Sequence, residues 1–177
     1  MKYLYMTFFF GAISSNIQAQ VNLSPKFFYG FQIGLLETVF YNEVNLTDGF
    51  SLKTGVGLVG GIDNSSFFAT PKFELQPKWN FTKKKRFFLK KTVQYNASNY
   101  VTIALSYLSE WLTLSEYKNR ANERIQLIPT IGFKRNYKQN LNVEFFLGLG
   151  YERILNQDIV KQNGFALKLG ALIGFDF

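Results

Sequence analysis

Apolar and polar side chains alternate one by one along most of the chain beyond residue 27. Between residues 71 and 81, Phe73, Leu75, Pro77, Trp79 and Phe81 hold one set of positions, and Lys72, Glu74, Gln76, Lys78 and Asn80 hold the other. Side chains of an extended strand point to opposite faces in turn, so this segment has one greasy and one charged face. The same period of two recurs. Val101, Ile103, Leu105 and Tyr107 alternate with Thr102, Ala104 and Ser106. Ile125, Leu127, Pro129, Ile131 and Phe133 alternate with smaller or charged residues, Ile128 excepted. Residues 141–149 alternate with Phe146 as the exception, and residues 165–177 follow the same rule. No stretch of helical period stands out. Eight strands are predicted, over residues 28–41, 49–62, 66–81, 86–95, 99–113, 123–137, 141–155 and 164–177. The short turns at 63–65, 96–98 and 138–140 alternate with mostly longer connections, as in up-and-down hairpins.

A soluble β-sandwich alternates as well, so strand length and the polar face must decide. The predicted strands exceed the usual five or six residues of soluble domains, and a membrane strand needs roughly 9–11. The polar face holds Gly55, Gly57, Gly61, Gly132, Gly148, Gly150, Gly170 and Gly174, which leave space for large neighbours in a narrow interior. It also holds Lys53, Lys72, Lys78, Arg124, Lys134 and Lys168 with Glu74, Glu110, Glu144, Glu152 and Asp176. A Lys or Arg facing lipid at mid-membrane costs about 2–4 kcal/mol, whereas inside a cylinder these groups pair with each other. The pattern therefore predicts an all-β chain: a transmembrane, antiparallel, up-and-down β-barrel of eight strands. Aromatic residues near the strand ends form two expected girdles. Tyr29, Tyr95, Tyr137, Phe175 and Phe177 make one. Tyr41, Phe50, Trp79, Phe81, Trp111, Tyr151 and Phe165 make the other.

Composition narrows the chemistry. Among 177 residues there is no Cys and no His. Disulfides and thiolate metal centres are excluded, and the commonest general base and metal ligand is missing. No cofactor is expected. The net charge of +8 directs attention to anionic partners. Residues 1–19 have the form of a secretory signal: Lys2, then an apolar stretch over residues 3–13, then Ile17, Gln18 and Ala19 at a cleavage site before Gln20. Residues 20–177 would form the barrel.

The leader, the alternating segments and the final stretch 170–177 (GALIGFDF) resemble a small Gram-negative outer-membrane β-barrel, of the OmpA- and OmpX-like eight-stranded kind. Residues 128–155 (IPTIGFKRNYKQNLNVEFFLGLGYERIL) look like the penultimate hairpin of the PorT-like barrels of the Bacteroidetes type. The resemblance implies an outer-membrane location with both chain ends in the periplasm. It also implies a C-terminal signal, Phe175 and Phe177, for the outer-membrane assembly machinery. It implies no particular activity.

Three functions remain in view. The first is a monomeric, non-enzymatic barrel with a structural or surface-interaction role and a lumen plugged by paired charges; eight strands leave an interior just wide enough for side chains. The second is a narrow channel or small-ligand carrier. The third is a lipid-modifying enzyme without His, using a pair such as Ser51 and Lys53 or Thr70 and Lys72. Lys83, Lys84, Lys85 and Arg86 form a basic run expected on the external rim, facing lipopolysaccharide or water. No nucleic-acid motif is present. Some residues resist strict alternation. Glu37 lands on the greasy face unless a bulge at Leu35 and Leu36 resets the phase. Lys90 and Lys91 are adjacent, and Pro77 and Pro129 each call for a bulge because each removes a ladder hydrogen bond.

Overall fold

The computed structural model describes residues 24–63, 66–109, 123–137, 140–155 and 163–177, with side chains omitted for 61–68. The signal segment 1–19 with its junction at Ala19 and Gln20, and also Glu110 and Trp111, lie outside the described residues. Eight strands form one closed antiparallel barrel in chain order. They are β1 (Phe27–Gly34), β2 (Glu37–Asn45), β3 (Phe50–Asp63), β4 (Ser66–Trp79), β5 (Asn99–Leu108), β6 (Arg124–Tyr137), β7 (Leu141–Ile154) and β8 (Asn163–Asp176). The wall closes where β1 pairs with β8, from Gly30 opposite Asp176 to Gly34 opposite Leu172. Tyr29 and Phe177 extend this seam by exchanging backbone hydrogen bonds at 3.2 and 2.8 Å.

Two strands differ from the sequence reading. The expected strand over 28–41 is a hairpin, β1 and β2, that reverses at Leu35 and Leu36 instead of bulging there. Phe31 pairs with Phe40 and Ile33 with Thr38, so phase restarts at the turn and Glu37 opens β2 facing inward. The expected strand over 86–95 does not exist. In its place come α1 (Lys83–Phe88) and a one-turn 3-10 helix (Gln94–Asn96). The run KKKRFFLKK groups like residues in twos and threes, so it offers no face of period two, and its lysines are better helix formers than strand formers.

This rearrangement reverses the ends of the early connections. The turn at 46–49, the segment 80–98 and the turn between β6 and β7 share one end of the barrel with Phe27 and Phe177. The reversal at Leu35 and Leu36, and the far ends of β3, β5 and β7, lie at the other end. The basic run Lys83 to Arg86 is therefore at the rim of the chain ends, not the opposite one. The girdles shift for the same reason. Phe50, Trp79 and Phe81 join Tyr29, Tyr137 and Phe175 at the chain-end rim; the Phe50 and Trp79 rings stack with centroids 6.1 Å apart. Tyr151 and Phe165 pair with each other at the far end. Tyr41 points inward, 1% exposed, and Tyr95 belongs to the 80–98 segment.

The prolines make gaps without bulges. Leu75 pairs with Leu105 and Lys78 with Thr102, while the pairs between, at Pro77, are absent; the register is the same on both sides. Likewise Leu127 pairs with Tyr151 and Thr130 with Gly148, with Pro129 in the gap. A missing N–H interrupts the ladder but inserts no residue.

Inward glycines stand opposite inward aromatic rings. Gly30 pairs with Tyr41, Gly132 with Tyr100 and Gly170 with Phe146. A Cβ at these glycines would lie 2.4, 2.5 and 2.4 Å from the facing ring. The glycines leave the volume that the rings fill.

Candidate functional site

Polarity is inverted relative to a water-soluble barrel. Lys78 and Lys134 are 0% and 1% exposed, whereas the outward Ile131, Leu147 and Leu169 are 54%, 52% and 70% exposed. The alternation that forms each strand puts its charged face inside, and closure then removes that face from water.

The more deeply buried charges form two connected groups, and a third, partly exposed ion pair lies beyond them. Nearer the chain ends, Lys134 Nζ lies 2.8 Å from Asp176 Oδ1 and donates to the Tyr41 hydroxyl at 2.9 Å, which in turn donates to Asp176. Lys78 Nζ sits 3.2 Å from Glu144 Oε1 and 3.8 Å from Glu43 Oε2, with its charge 3.9 Å from the centre of the Tyr100 ring. Lys53 reaches Glu144 at 3.2 Å and stands 4.1 Å over the Tyr41 ring. Gln32 ties these together. Its Nε2 donates to Asn142 Oδ1 at 2.7 Å and Glu144 Oε2 at 2.9 Å, and its Oε1 accepts from Lys53 at 3.1 Å. Higher in the barrel, Glu74 accepts from Lys168 at 2.5 Å, Lys72 at 3.0 Å and Ser106 at 3.2 Å. Lys72 also bonds Glu37. Toward the far end, Arg124 and Glu152 lie 3.6 Å apart and remain partly exposed.

Burying an ion is expensive, and the cost is met only where opposite charges and further hydrogen bonds surround it. Here each buried lysine of the two groups has a carboxylate partner, and four of them also stand over aromatic rings. Of the expected interior residues, Lys53, Lys72, Glu74, Lys78, Arg124, Lys134, Glu144, Glu152, Lys168 and Asp176 all face inward. Glu43, Glu37, Gln32, Tyr41, Tyr100 and Asn142 join them. A single strand over 28–41 leaves Glu43 in a loop, whereas a strand that starts at Glu37 puts it in phase with Tyr41 and Asn45. A cavity of about 10 Å³ lies among Glu37, Lys53, Glu74, Tyr100, Glu144 and Lys168, room for about one water.

The 80–98 segment covers the chain-end mouth. Asn96 is 0% exposed and donates from Nδ2 to Glu43 Oε1 at 2.5 Å and Asn45 Oδ1 at 2.8 Å. Lys83, expected in an external basic loop, is instead buried and donates to Asn96 Oδ1 at 2.6 Å. Burial pulls the Lys83 ammonium below its ordinary pKa, with Glu43 and Asp48 acting in the opposite direction. Ser24 Oγ donates to the Val93 carbonyl at 2.8 Å, and Ser98 Oγ to Asn80 Oδ1 at 2.9 Å. Lys84, Lys85, Lys90 and Lys91 remain exposed on the outside of this cap.

The Ser51 and Lys53 pair is divided between partners: Ser51 Oγ donates to Glu43 at 2.5 Å, while Lys53 goes to Gln32 and Glu144. On the outer wall, Phe50, Pro77, Trp79, Ile103, Pro129 and Leu149 border a depression of about 790 Å³. No helix among the described residues is long and apolar enough to cross a membrane. Comparison with family models, curated proteins and solved structures finds no match.

Proposed function

We propose that the protein is an integral outer-membrane β-barrel, exported by a cleaved leader, monomeric, and without enzymatic activity. Its role in this reading is structural or in surface interaction, with its lumen plugged. The observation that carries the reading is the inverted polarity: a wall of exposed Ile, Leu and Phe side chains around an interior of paired Lys, Glu and Asp. In water that wall would be a contiguous apolar patch far larger than soluble monomers present. In a bilayer it meets hydrocarbon, and the buried charges meet each other. The stretch 170–177 and the resemblance to small outer-membrane barrels support the same compartment, with lipid, lipopolysaccharide and the assembly machinery as partners.

Membrane fractionation and a heat-dependent shift in gel mobility test the reading. The expected result is recovery in the outer-membrane fraction with a faster-migrating unboiled form. A freely dissolved, detergent-independent protein would sink it. Planar-bilayer recording separates the plugged barrel from the narrow channel: a silent trace is expected, because the interior space between the ion pairs holds about one water. Unchanged lipid A in expressing cells is the expected outcome against a lipid-modifying enzyme.

A further inference from the structure

We propose that the outer surface of the cap, from Lys84 to Gln94, is a docking site for anionic phospholipid headgroups in the leaflet at the chain-end rim. The inference rests on the membrane-barrel reading and adds a ligand class to a segment that reading leaves unused.

The cap has more than one task. Its inner side closes the mouth through Lys83 and Asn96. Its outer side does something a plug does not need: Phe88 and Leu89 are 80% and 55% exposed, beside Lys84, Lys85, Lys90 and Lys91. No Asp or Glu occurs in the sequence between Glu74 and Glu110. Exposed rings flanked by lysines suit the boundary between headgroups and acyl chains, where the rings enter the apolar layer and the ammonium groups meet phosphate. The position fits, because the outward aromatic band leads straight into the cap: the Trp79 and Phe81 rings lie 6.1 Å apart, and Lys83 opens α1 two residues later. Phe87, Phe88, Lys90, Lys91 and the Thr92 to Gln94 strip line a depression of about 640 Å³.

The helix end gives independent support. Lys90 N donates to Phe87 O at 2.9 Å and Lys91 N to Arg86 O at 2.9 Å, the paired bonds of a Schellman ending. The residue that must turn left-handed is Lys90, with φ of 54°. Glycine is the favoured residue there, and a lysine is strained. The chain keeps a positive charge at the depression at the expense of its own helix ending. Strain retained at a specific side chain points to a use for that side chain.

The test uses the full-length barrel folded into vesicles. Cys is absent from the chain, so Thr92→Cys supplies a single site for an environment-sensitive fluorophore. Brominated lipids placed in phosphatidylglycerol or phosphatidylcholine vesicles report contact by quenching. The expected result is strong quenching in phosphatidylglycerol, weak quenching in phosphatidylcholine, and loss of the difference at high salt. Lys90→Gly is the decisive variant. It relieves the helix ending and so keeps the fold, yet it should weaken the phosphatidylglycerol preference about fivefold, as expected for one basic residue at an anionic surface. Lys84→Glu with Lys91→Glu should abolish it. Equal quenching in both lipids, or none in either, from a barrel with the heat-dependent mobility shift overturns the inference and leaves the membrane reading standing; the absence of quenching would assign the cap to a protein partner. Failure of the barrel to insert overturns both.

Discussion

Asn96 Nδ2 stands 2.5 Å from Glu43 Oε1 and 2.8 Å from Asn45 Oδ1, so one side chain of the cap is bound directly to the barrel wall. Its own Oδ1 receives Lys83. Three buried polar groups meet at a single amide.

Asn96→Ala should therefore loosen the cap. It leaves Glu43, Asn45 and Lys83 short of a partner, at about 1–3 kcal/mol for each buried group not rescued by water. Asn96 also has φ of 59°, a conformation alanine resists. Hydrogen exchange at the backbone of residues 93–98 should accelerate, while the β6–β7 ladder stays protected. Asn96→Gly tolerates the backbone but not the lost bonds, and should show a similar acceleration.

The interior ion pairs should respond asymmetrically. Lys78→Met leaves Glu144 and Glu43 with an uncompensated charge, and the loss should be about 3–5 kcal/mol. Lys78→Met combined with Glu144→Gln removes much of that imbalance and should recover part of the loss. Urea midpoints in detergent micelles measure both. An additive double variant would show that the two residues do not act on each other.

Gly132 and Tyr100 should be coupled through space. A Cβ at Gly132 would meet the ring at 2.5 Å, and a Phe145 carbonyl stands at 2.8 Å. Gly132→Val should destabilise by about 1–3 kcal/mol through overpacking. Adding Tyr100→Ala frees the ring's volume, so the double variant should lose less than the sum of the singles by at least about 0.5 kcal/mol. The same urea titrations give the comparison.

Stability should rise in alkaline solution through Lys83. Burial lowers its folded pKa below the ordinary 10.5, so the unfolded chain holds the proton more tightly. Where the unfolded state binds more protons, stability increases with pH. The gain begins at the folded pKa and is complete above the unfolded value of about 10.5. Lys83→Met should remove this component of the slope, which lies between the lowered folded pKa and about pH 10.5. Lys84→Met, on the exposed side, should leave it intact.

Much of the wall was legible because alternation leaves little freedom. In β4, the set Lys72, Glu74, Gln76 and Lys78 could share only one face, and the interior is where they stand. The first hairpin was harder to read. Leu35 and Leu36 carry none of the Gly, Asn or Asp chemistry that marks a two-residue turn. Leu35 is 95% exposed, so hydrophobicity there did not mean strand interior. Without that reversal, Glu43 falls in a loop and Lys83 at the opposite rim. The cap was hidden for another reason. Its fixed points, Asn96 to Glu43 and Ser24 to Val93, are contacts between segments remote in sequence, which local periodicity does not encode.

The seam between β1 and β8 carries one more implication, for the order of construction. Gln32 sits on the first strand and finds Asn142 and Glu144 on the seventh, 110 and 112 residues away. Once the cylinder is zipped, the space left among the interior ion pairs holds about one water. The interior must be loaded while the sheet is still an open trough, and joining the first strand to the last seals in whatever arrangement the charges have then reached.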